Sequence, residues 1–364
     1  MKVLFLYPNH EGYFRCPVGL TLIMTVVEND GHEVKLFDTT FMNSDDNQDN
    51  SKREDVGLVK PVTLDNYFDK KSTNEIESDW IKLVEEFKPD LIATTIVEDA
   101  YTYAHRLLGL AKSVHDIPVV VGGSMPTVVP KVMIENPNID YLVEGEGEVA
   151  FKELIDALIK DGDVSQVPNL WYQDNGITKN TGLVKYLDMD EIPFQKLDFW
   201  DDKHFTKPYD GKLHVTGFFE FSRGCMHRCH YCINRAFQVF QEEAGKVRRN
   251  KSPRRCIDEV KHINKKRNFT LVMFTDDNFL GRKPKELEEF FKLWKEEVKI
   301  PYWVNTCIET VNEHNLPLLK ESGCVGIAIG LETGSDWVRR NLLLKGKMDN
   351  KFYMEKFALM VKYE

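Results

Sequence analysis

Short apolar runs alternate with amphipathic helical stretches along most of this chain, and that alternation restricts it to sheets of parallel strands flanked by helices. Lys2-Val3-Leu4-Phe5-Leu6-Tyr7 is an apolar run closed by Pro8, the pattern of a strand buried on both faces. Leu20, Ile23, Met24 and Val27 then recur at helical spacing, Gly31 ends that helix, and residues 32–38 read as the next strand. Residues 43–78 are polar and poor in aliphatics, which reads as an irregular insertion. Order resumes with a helix over 80–87, a strand at 90–95, a helix over 100–114 and a strand at 117–121. The series predicts an α/β, doubly wound (Rossmann-like) domain, which takes ligands at the carboxyl ends of its strands.

Gly122-Gly123-Ser124-Met125-Pro126-Thr127 sits at such an end, where bare backbone and hydroxyls suit close approach by a bulky ligand. Tyr141-Leu142-Val143 runs into Glu144-Gly145-Glu146-Gly147-Glu148 and a helix over 150–159. Residues 165–212 mix Pro, Gly, Asp and aromatics and read as a linker with a small hairpin. From 213 the alternation returns: strands at 215–221, 270–275, 302–306 and 325–331, with helices over 256–266, 285–298 and 316–321 between them. Strand–helix units in series begin a parallel barrel, whose functional groups gather at the C-terminal ends of the strands. Those ends carry the cysteines after the first strand, Asp276 and Asp277 after the second, Asn305 at the third and Glu332 after the fourth.

With 364 residues, 42% hydrophobic and 29% charged, the chain is expected to form about two domains with real cores. A formal net charge of -10 argues against a general nucleic-acid binder. The basic run from Lys246 to Arg267 reads as a solvated helix face. No stretch has the apolar length of a membrane span, and the first residues lead into a strand rather than a signal peptide, so a cytoplasmic protein is expected. Seven cysteines at uneven spacing do not form a disulfide framework, and Cys16, Cys256, Cys307 and Cys324 read as buried apolar thiols.

The remaining three, Cys225, Cys229 and Cys232, stand at C-x3-C-x2-C in Ser222-Arg223-Gly224-Cys225-Met226-His227-Arg228-Cys229-His230-Tyr231-Cys232. Soft thiolates select zinc, copper or iron–sulfur centres. A structural zinc site needs a fourth ligand, which His227 or His230 can supply. A [4Fe–4S] cluster on three thiolates instead leaves one iron open to a small molecule.

With Tyr231 as the aromatic of C-x3-C-x-aromatic-C, this stretch resembles the signature of the radical S-adenosylmethionine (SAM) superfamily. The resemblance implies that Cys225, Cys229 and Cys232 bind a [4Fe–4S] cluster. It also implies that SAM chelates the open iron and is cleaved to a 5′-deoxyadenosyl radical. It further places Tyr231, Asp276, Asp277, Asn305 and Glu332 in the SAM site, the second-strand acids against the amino group and Glu332, within Gly330-Leu331-Glu332-Thr333-Gly334-Ser335, against ribose hydroxyls.

The order V-V-V-G-G-x-x-x-T-x-x-P over 119–130, followed by D-Y-L-V-E-G-E-G-E over 140–148, resembles the cobalamin-binding domain of B12-dependent radical SAM enzymes. That likeness covers about residues 1–160 and implies that Gly122, Gly123, Ser124, Thr127, Glu144 and Gly145 approach cobalamin (B12). The D-x-H-x-x-G pattern that supplies a protein ligand to cobalt is absent, and His10 reads as a loop residue, so the axial ligand stays unassigned. Leu187-Asp188-Met189-Asp190-Glu191-Ile192-Pro193-Phe194 resembles the family's bridge between domains.

The expected organisation is a cobalamin-binding domain at 1–164, a linker at 165–212 and a partial radical SAM barrel at 213–364. The family's barrel usually runs on beyond the strands read here, so the chain reads as a truncated product or half of a split protein. The implied function is methyl transfer to an unactivated carbon of a small-molecule substrate, the two cofactors being held on either side of it. An electron donor such as flavodoxin or ferredoxin is implied, with no nucleic acid and no membrane partner. Two alternatives are a radical SAM enzyme without cobalamin and a non-catalytic zinc- or cluster-binding protein.

Overall fold

The computed structural model describes residues 1–9, 16–42, 56–57, 60, 62, 67–160 and 162–363; His10 and much of the expected insertion lie outside them. The chain forms two compact units, Met1–Val184 with Pro193–Leu213, and Lys185–Ile192 with His214–Glu364.

The first unit is built on β1 (Lys2–Tyr7), β2 (Glu33–Asp38), β3 (Leu91–Thr95), β4 (Val119–Gly122) and β5 (Tyr141–Val143), which run parallel in the order β2-β1-β3-β4-β5. Strand order reverses between β1 and β3, the switch point beside which ligands bind in such sheets. The helices α1 (Val18–Asn29), α2 (Thr73–Phe87) and α3 (Tyr101–Val114) cover the faces. Leu4, Leu6, Ile92, Val119 and Val121 pack with Trp80, Val84, Leu107 and Leu108, and the Trp80 indole donates to the Leu107 carbonyl at 2.7 Å.

Two expectations change here. Helix α2 begins at Thr73, not 80, because Ser72 and Glu75 form a reciprocal capping box in which the Glu75 N–H donates to the Ser72 hydroxyl. The hairpin assigned to the linker, β6 (Leu170–Asp174) and β7 (Ile177–Asn180), is the antiparallel edge of the first sheet, with Tyr172 opposite Tyr141.

Short helices α4 (Ser124–Val128) and α5 (Pro130–Met133) follow the glycine turn, and α6 (Glu148–Ile159) follows β5. Within this unit His204 is fully buried against Asp38, with Nε2 2.5 Å from the carboxylate. The Trp200 indole donates to Thr21 at 2.9 Å, so residues 193–205 pack on the unit they left rather than forming a free tether.

The chain leaves the first unit through β8 (Thr206–Tyr209) and enters the second along β9 (Lys212–Phe219). There β9, β12 (Leu271–Phe274), β13 (Tyr302–Asn305) and β14 (Cys324–Ala328) are parallel neighbours in sequence order, the four barrel strands expected. A two-residue ladder, β10 (Ser222–Arg223) with β11 (Arg249–Asn250), closes the base of the cysteine loop. The helices α7 (Ile233–Phe240), α8 (Pro253–Arg267), α9 (Pro284–Leu293), α10 (Asn315–Ser322), α11 (Asp336–Asn341) and α12 (Asn350–Val361) complete the unit.

Its core is aromatic: Phe221, Phe274, Phe279, Phe290, Trp294 and Tyr302 are buried, with Phe221 and Phe274 centroids 4.9 Å apart and Trp294 and Tyr302 5.1 Å. Residues 185–192 belong to this unit. Arg249 stacks on Tyr186 at 4.0 Å and donates to the Leu187 carbonyl at 3.0 Å, and the Ser252 N–H donates to Asp190. No helix among the described residues is long and apolar enough to cross a membrane.

Candidate cofactor sites at the strand ends

The cysteine loop is positioned by its root. Phe221, just past β9, gives its N–H to Asp276 at 3.1 Å, and its carbonyl accepts from the Lys251 N–H at 2.9 Å and from Arg282 at 2.6 Å. Ser222 donates to the other Asp276 oxygen, and Arg248 donates to the Ser222 hydroxyl, the Gly224 carbonyl and the Asn278 carbonyl at 2.9–3.1 Å. Gly224 stands at φ +76°, and a Cβ there would lie 2.7 Å from the Val247 carbonyl oxygen, so only glycine takes this turn without displacing its neighbour.

The far side of the loop is tied down as well. The Gln238 amide donates to the carbonyls of Cys225 and His227, and the His230 N–H donates to the Leu343 carbonyl at 2.8 Å. The start of the basic run is structural, since Arg248 and Arg249 staple the loop's base and Lys251 is 2% exposed in a 2.7 Å pair with Glu259, whereas the helix that follows keeps Lys261, Lys265 and Lys266 exposed, as expected.

Cys225, Cys229 and Cys232 come together on this frame. Cys229 is buried, the other two are partly open, and the charge of each neighbour acts on the Cys229 thiol. Burial pushes Cys229 up, while the Lys345 cation pulls it down. Three thiols from one loop, converging without a fourth cysteine of the same loop, fit a cluster with one open iron. Either histidine would complete a zinc set instead: His230 is held by Leu342 and Leu343, while a His227 ring nitrogen lies within 4.8 Å of the Cys225 and Cys307 sulfurs, in reach of a metal on those thiols.

The predicted SAM residues divide. Asp276 is 1% exposed with both oxygens taken by Ser222 and Phe221, and Arg282 lies 3.9 Å away; burial raises its carboxyl against these partners. It holds the loop. Asp277 is exposed: desolvation by the surrounding protein raises its carboxyl, and the Asn234 amide and Gly224 N–H lower it. Of the two acids it is the one open to a ligand. The Asn305 amide donates to the Phe274 carbonyl at 3.3 Å and its carbonyl accepts from Phe279, fixing the ends of β12 and β13.

Tyr231 and Glu332 meet, joined by a residue absent from the sequence-based reading. Lys345 donates to Glu332 at 2.7 Å and to the Tyr231 hydroxyl at 3.1 Å. Its hydrogen bond to Glu332 holds that carboxyl below its usual range. Glu332 has φ +64°, a left-handed conformation that residues other than Gly adopt at a cost.

Cys307 is the other omission. Expected as an inert buried thiol, it is only partly buried, and its sulfur, that of Cys225 and a His227 ring nitrogen lie within 4.8 Å of one another. Hydrogen bonding from Cys307, helped by the His227 N–H, lowers the Cys225 thiol to about 6, and the Cys307 thiol rises correspondingly. One cysteine after a strand that ends at a site was the available signal.

In the first unit the predicted residues gather at the ends of β3, β4 and β5. Gly123 stands at φ +104°, where a Cβ would lie 2.5 Å from Thr95 Oγ1 and 3.0 Å from the Ile96 nitrogen. Its glycine is required by the fold itself. A Cβ on Gly122 would meet only the Val143 carbonyl, at 3.8 Å, so that backbone is bare on its outer side, as a cradle for a bulky ring requires. Thr127 donates to the Gly123 carbonyl at 2.7 Å and accepts from the Gly145 N–H at 3.0 Å, locking the two turns together. Ser124 opens α4 and is half-buried. Glu144 turns inward, where the Trp171 indole donates to it at 2.6 Å and burial raises its carboxyl. Bare backbone at Gly122 and the hydroxyl of Ser124 fit a cobalamin edge; Thr127 and Glu144 shape that edge.

Comparison with known proteins agrees with this geometry. The family model of the radical SAM superfamily matches residues 219–363, and that of the B12 binding domain matches residues 63–155. An uncharacterized methyltransferase of Pyrococcus horikoshii is 27% identical over 99% of this chain and 72% of its own length. The radical SAM methyltransferase TsrM of Kitasatospora setae, solved with cobalamin and a [4Fe–4S] cluster, superposes with a TM-score of 0.69 at 18% identity, over all of this chain and 67% of its own. The cobalamin-dependent SAM radical enzyme OxsB, solved with aqua-cobalamin and SAM, gives 0.71 at 19% identity, over 98% of this chain and 47% of its own. At these identities the two structures share the fold, and the chain spans about half the length of OxsB.

Proposed function

Because the chain belongs to the radical SAM superfamily and carries a B12-binding domain in the same polypeptide, we propose that it is a cobalamin-dependent methyltransferase acting on a carbon of a small molecule. The observation that carries this reading is that three thiols, an open carboxylate, Asp277, that acts on Cys225, and Glu332 beside Tyr231 stand past the C-terminal ends of strands of one sheet. When bound, the cofactors supply one-electron cleavage of SAM at the [4Fe–4S] cluster and a methyl group on cobalamin.

The chain's own residues bind and orient. Cys225, Cys229 and Cys232 hold the cluster on a loop clamped at Phe221 and Gly224. Asp277 accepts the SAM ammonium, and Asp276 sets the loop beside it. Glu332, oriented by Lys345 and with Tyr231 beside it, would face the ribose hydroxyls. Gly122, Gly123, Ser124 and Gly145 present backbone and a hydroxyl to cobalamin, with Thr127 tying the turns and Glu144 bracing them. A low-potential one-electron donor of the flavodoxin or ferredoxin kind completes the reaction, and an oxygen-sensitive cluster suits the cytoplasm.

The test is incubation of anaerobically prepared protein with SAM, cobalamin and a strong reductant. Cobalamin-dependent release of S-adenosylhomocysteine is expected. 5′-Deoxyadenosine formed alone, at a rate indifferent to cobalamin, would overturn methyl transfer and leave hydrogen abstraction.

A further inference from the structure

The geometry points to Cys307 as a positioning residue for the cluster: its thiol donates a hydrogen bond to the Cys225 sulfur and eases one-electron reduction of the bound cluster. This inference rests on the cluster reading above. Cys307 lies just past β13, on a different strand end from the three ligands, so the contact is made by the fold rather than by loop spacing.

Both peptide groups that flank its side chain are fixed. The Cys307 N–H donates to Asn278 at 3.2 Å, and its carbonyl accepts from Thr310 at 2.6 Å. Asn278 is 1% exposed and accepts from Thr306 at 2.8 Å, which makes the anchor rigid. The thiol is therefore delivered against Cys225 by a preset backbone.

The separation excludes a fourth ligand. The Cys307 and Cys225 sulfurs lie within 4.8 Å of one another, closer than thiolates bound to different irons of one cubane, and each iron of such a cluster takes one cysteine. A ligating Cys225 has no proton to give, so the donor is the Cys307 S–H, acting alongside the His227 N–H at 3.5 Å from the same sulfur. Donors to cluster sulfurs favour the more negative, reduced state, which raises the reduction potential. The open iron is left to SAM.

The experiment is a reductive titration of the reconstituted full chain, followed by electron paramagnetic resonance, for wild type, Cys307→Ala and Cys307→Ser. All three are expected to carry the same iron and sulfide per chain, with the midpoint of Cys307→Ala shifted to more negative potential and that of Cys307→Ser, which keeps a donor, restored toward wild type. An unshifted or raised midpoint in Cys307→Ala overturns the inference, as does loss of iron from both variants, which would make Cys307 a ligand. If Cys307→Ala fails to fold, a Cys307→Ser midpoint as far below wild type as that of a Cys307→Val control also overturns it. A wild-type protein that takes up no cluster would instead overturn the reading on which the inference rests.

Discussion

Gly224 is the position where a single methyl group does most harm to the cysteine loop. At φ +76°, with the Val247 carbonyl 2.7 Å from where a Cβ would sit, Gly224→Ala is expected to cost about 1–3 kcal/mol of backbone strain. Iron content per chain after reconstitution should fall well below wild type while both units stay folded; full iron loading would contradict the role given to this turn. Glu144 answers a different question, whether its carboxylate is kept for structure. Burial raises its native pKa above the unfolded value, so the native state holds the proton more tightly. Stability is therefore lost as pH rises from the unfolded value through the native one, and the penalty is constant above both. Glu144→Gln should flatten the pH dependence of the melting temperature above the ordinary carboxylate range and match or exceed wild type at neutral pH. A large destabilisation would contradict this account. Cys225, Cys229, Cys232, Tyr231 and Glu332 stood out in the sequence because the motifs that carry the family resemblance are local. Cys307 and Lys345 did not, since nothing in a linear sequence says that a residue after β13 or α11 returns to the loop after β9.

At the scale of elements, the loop between β9 and α7 depends on a buried layer behind it. Lys251 and Glu259 are each 2% exposed and 2.7 Å apart, and the Lys251 backbone holds Phe221 at the loop's root. Glu259→Ala leaves a buried cation without its carboxylate and is expected to cost about 3–5 kcal/mol, read as a lowered melting transition together with reduced iron uptake. A melt within error of wild type would show that the layer does not support the loop. The alternation was legible for the parallel strands and the helices between them, because period and chain punctuation are local signals, whereas the helices at Ile233–Phe240, Asp336–Asn341 and Asn350–Val361 were not read. The start of α2 was legible too, in Ser72-Thr73-Asn74-Glu75, but the polar composition around it outweighed the cap. The hairpin of β6 and β7 was recognised and misassigned, since its pairing to β5 is a long-range contact that composition does not record. The start of the basic run was misread for the same reason: Arg248 and Lys251 look solvated until their distant acceptors are known.

For the whole molecule, each of the two units is built on a run of parallel strands that carries its candidate ligand residues at their C-terminal ends, as the order of strands dictates. The family matches fall one on each unit's ligand-bearing segment, and the relatives solved with cobalamin and cluster have the same fold. The central claim is that three cysteines hold an iron–sulfur cluster with a corner left for SAM. Anaerobic reconstitution of the chain followed by iron, sulfide and zinc analysis tests it most directly. The account predicts about four irons and about four sulfides per chain, with a cluster spectrum that changes when SAM is added. A colourless protein carrying one zinc ion, held by the same cysteines and insensitive to SAM, would contradict it.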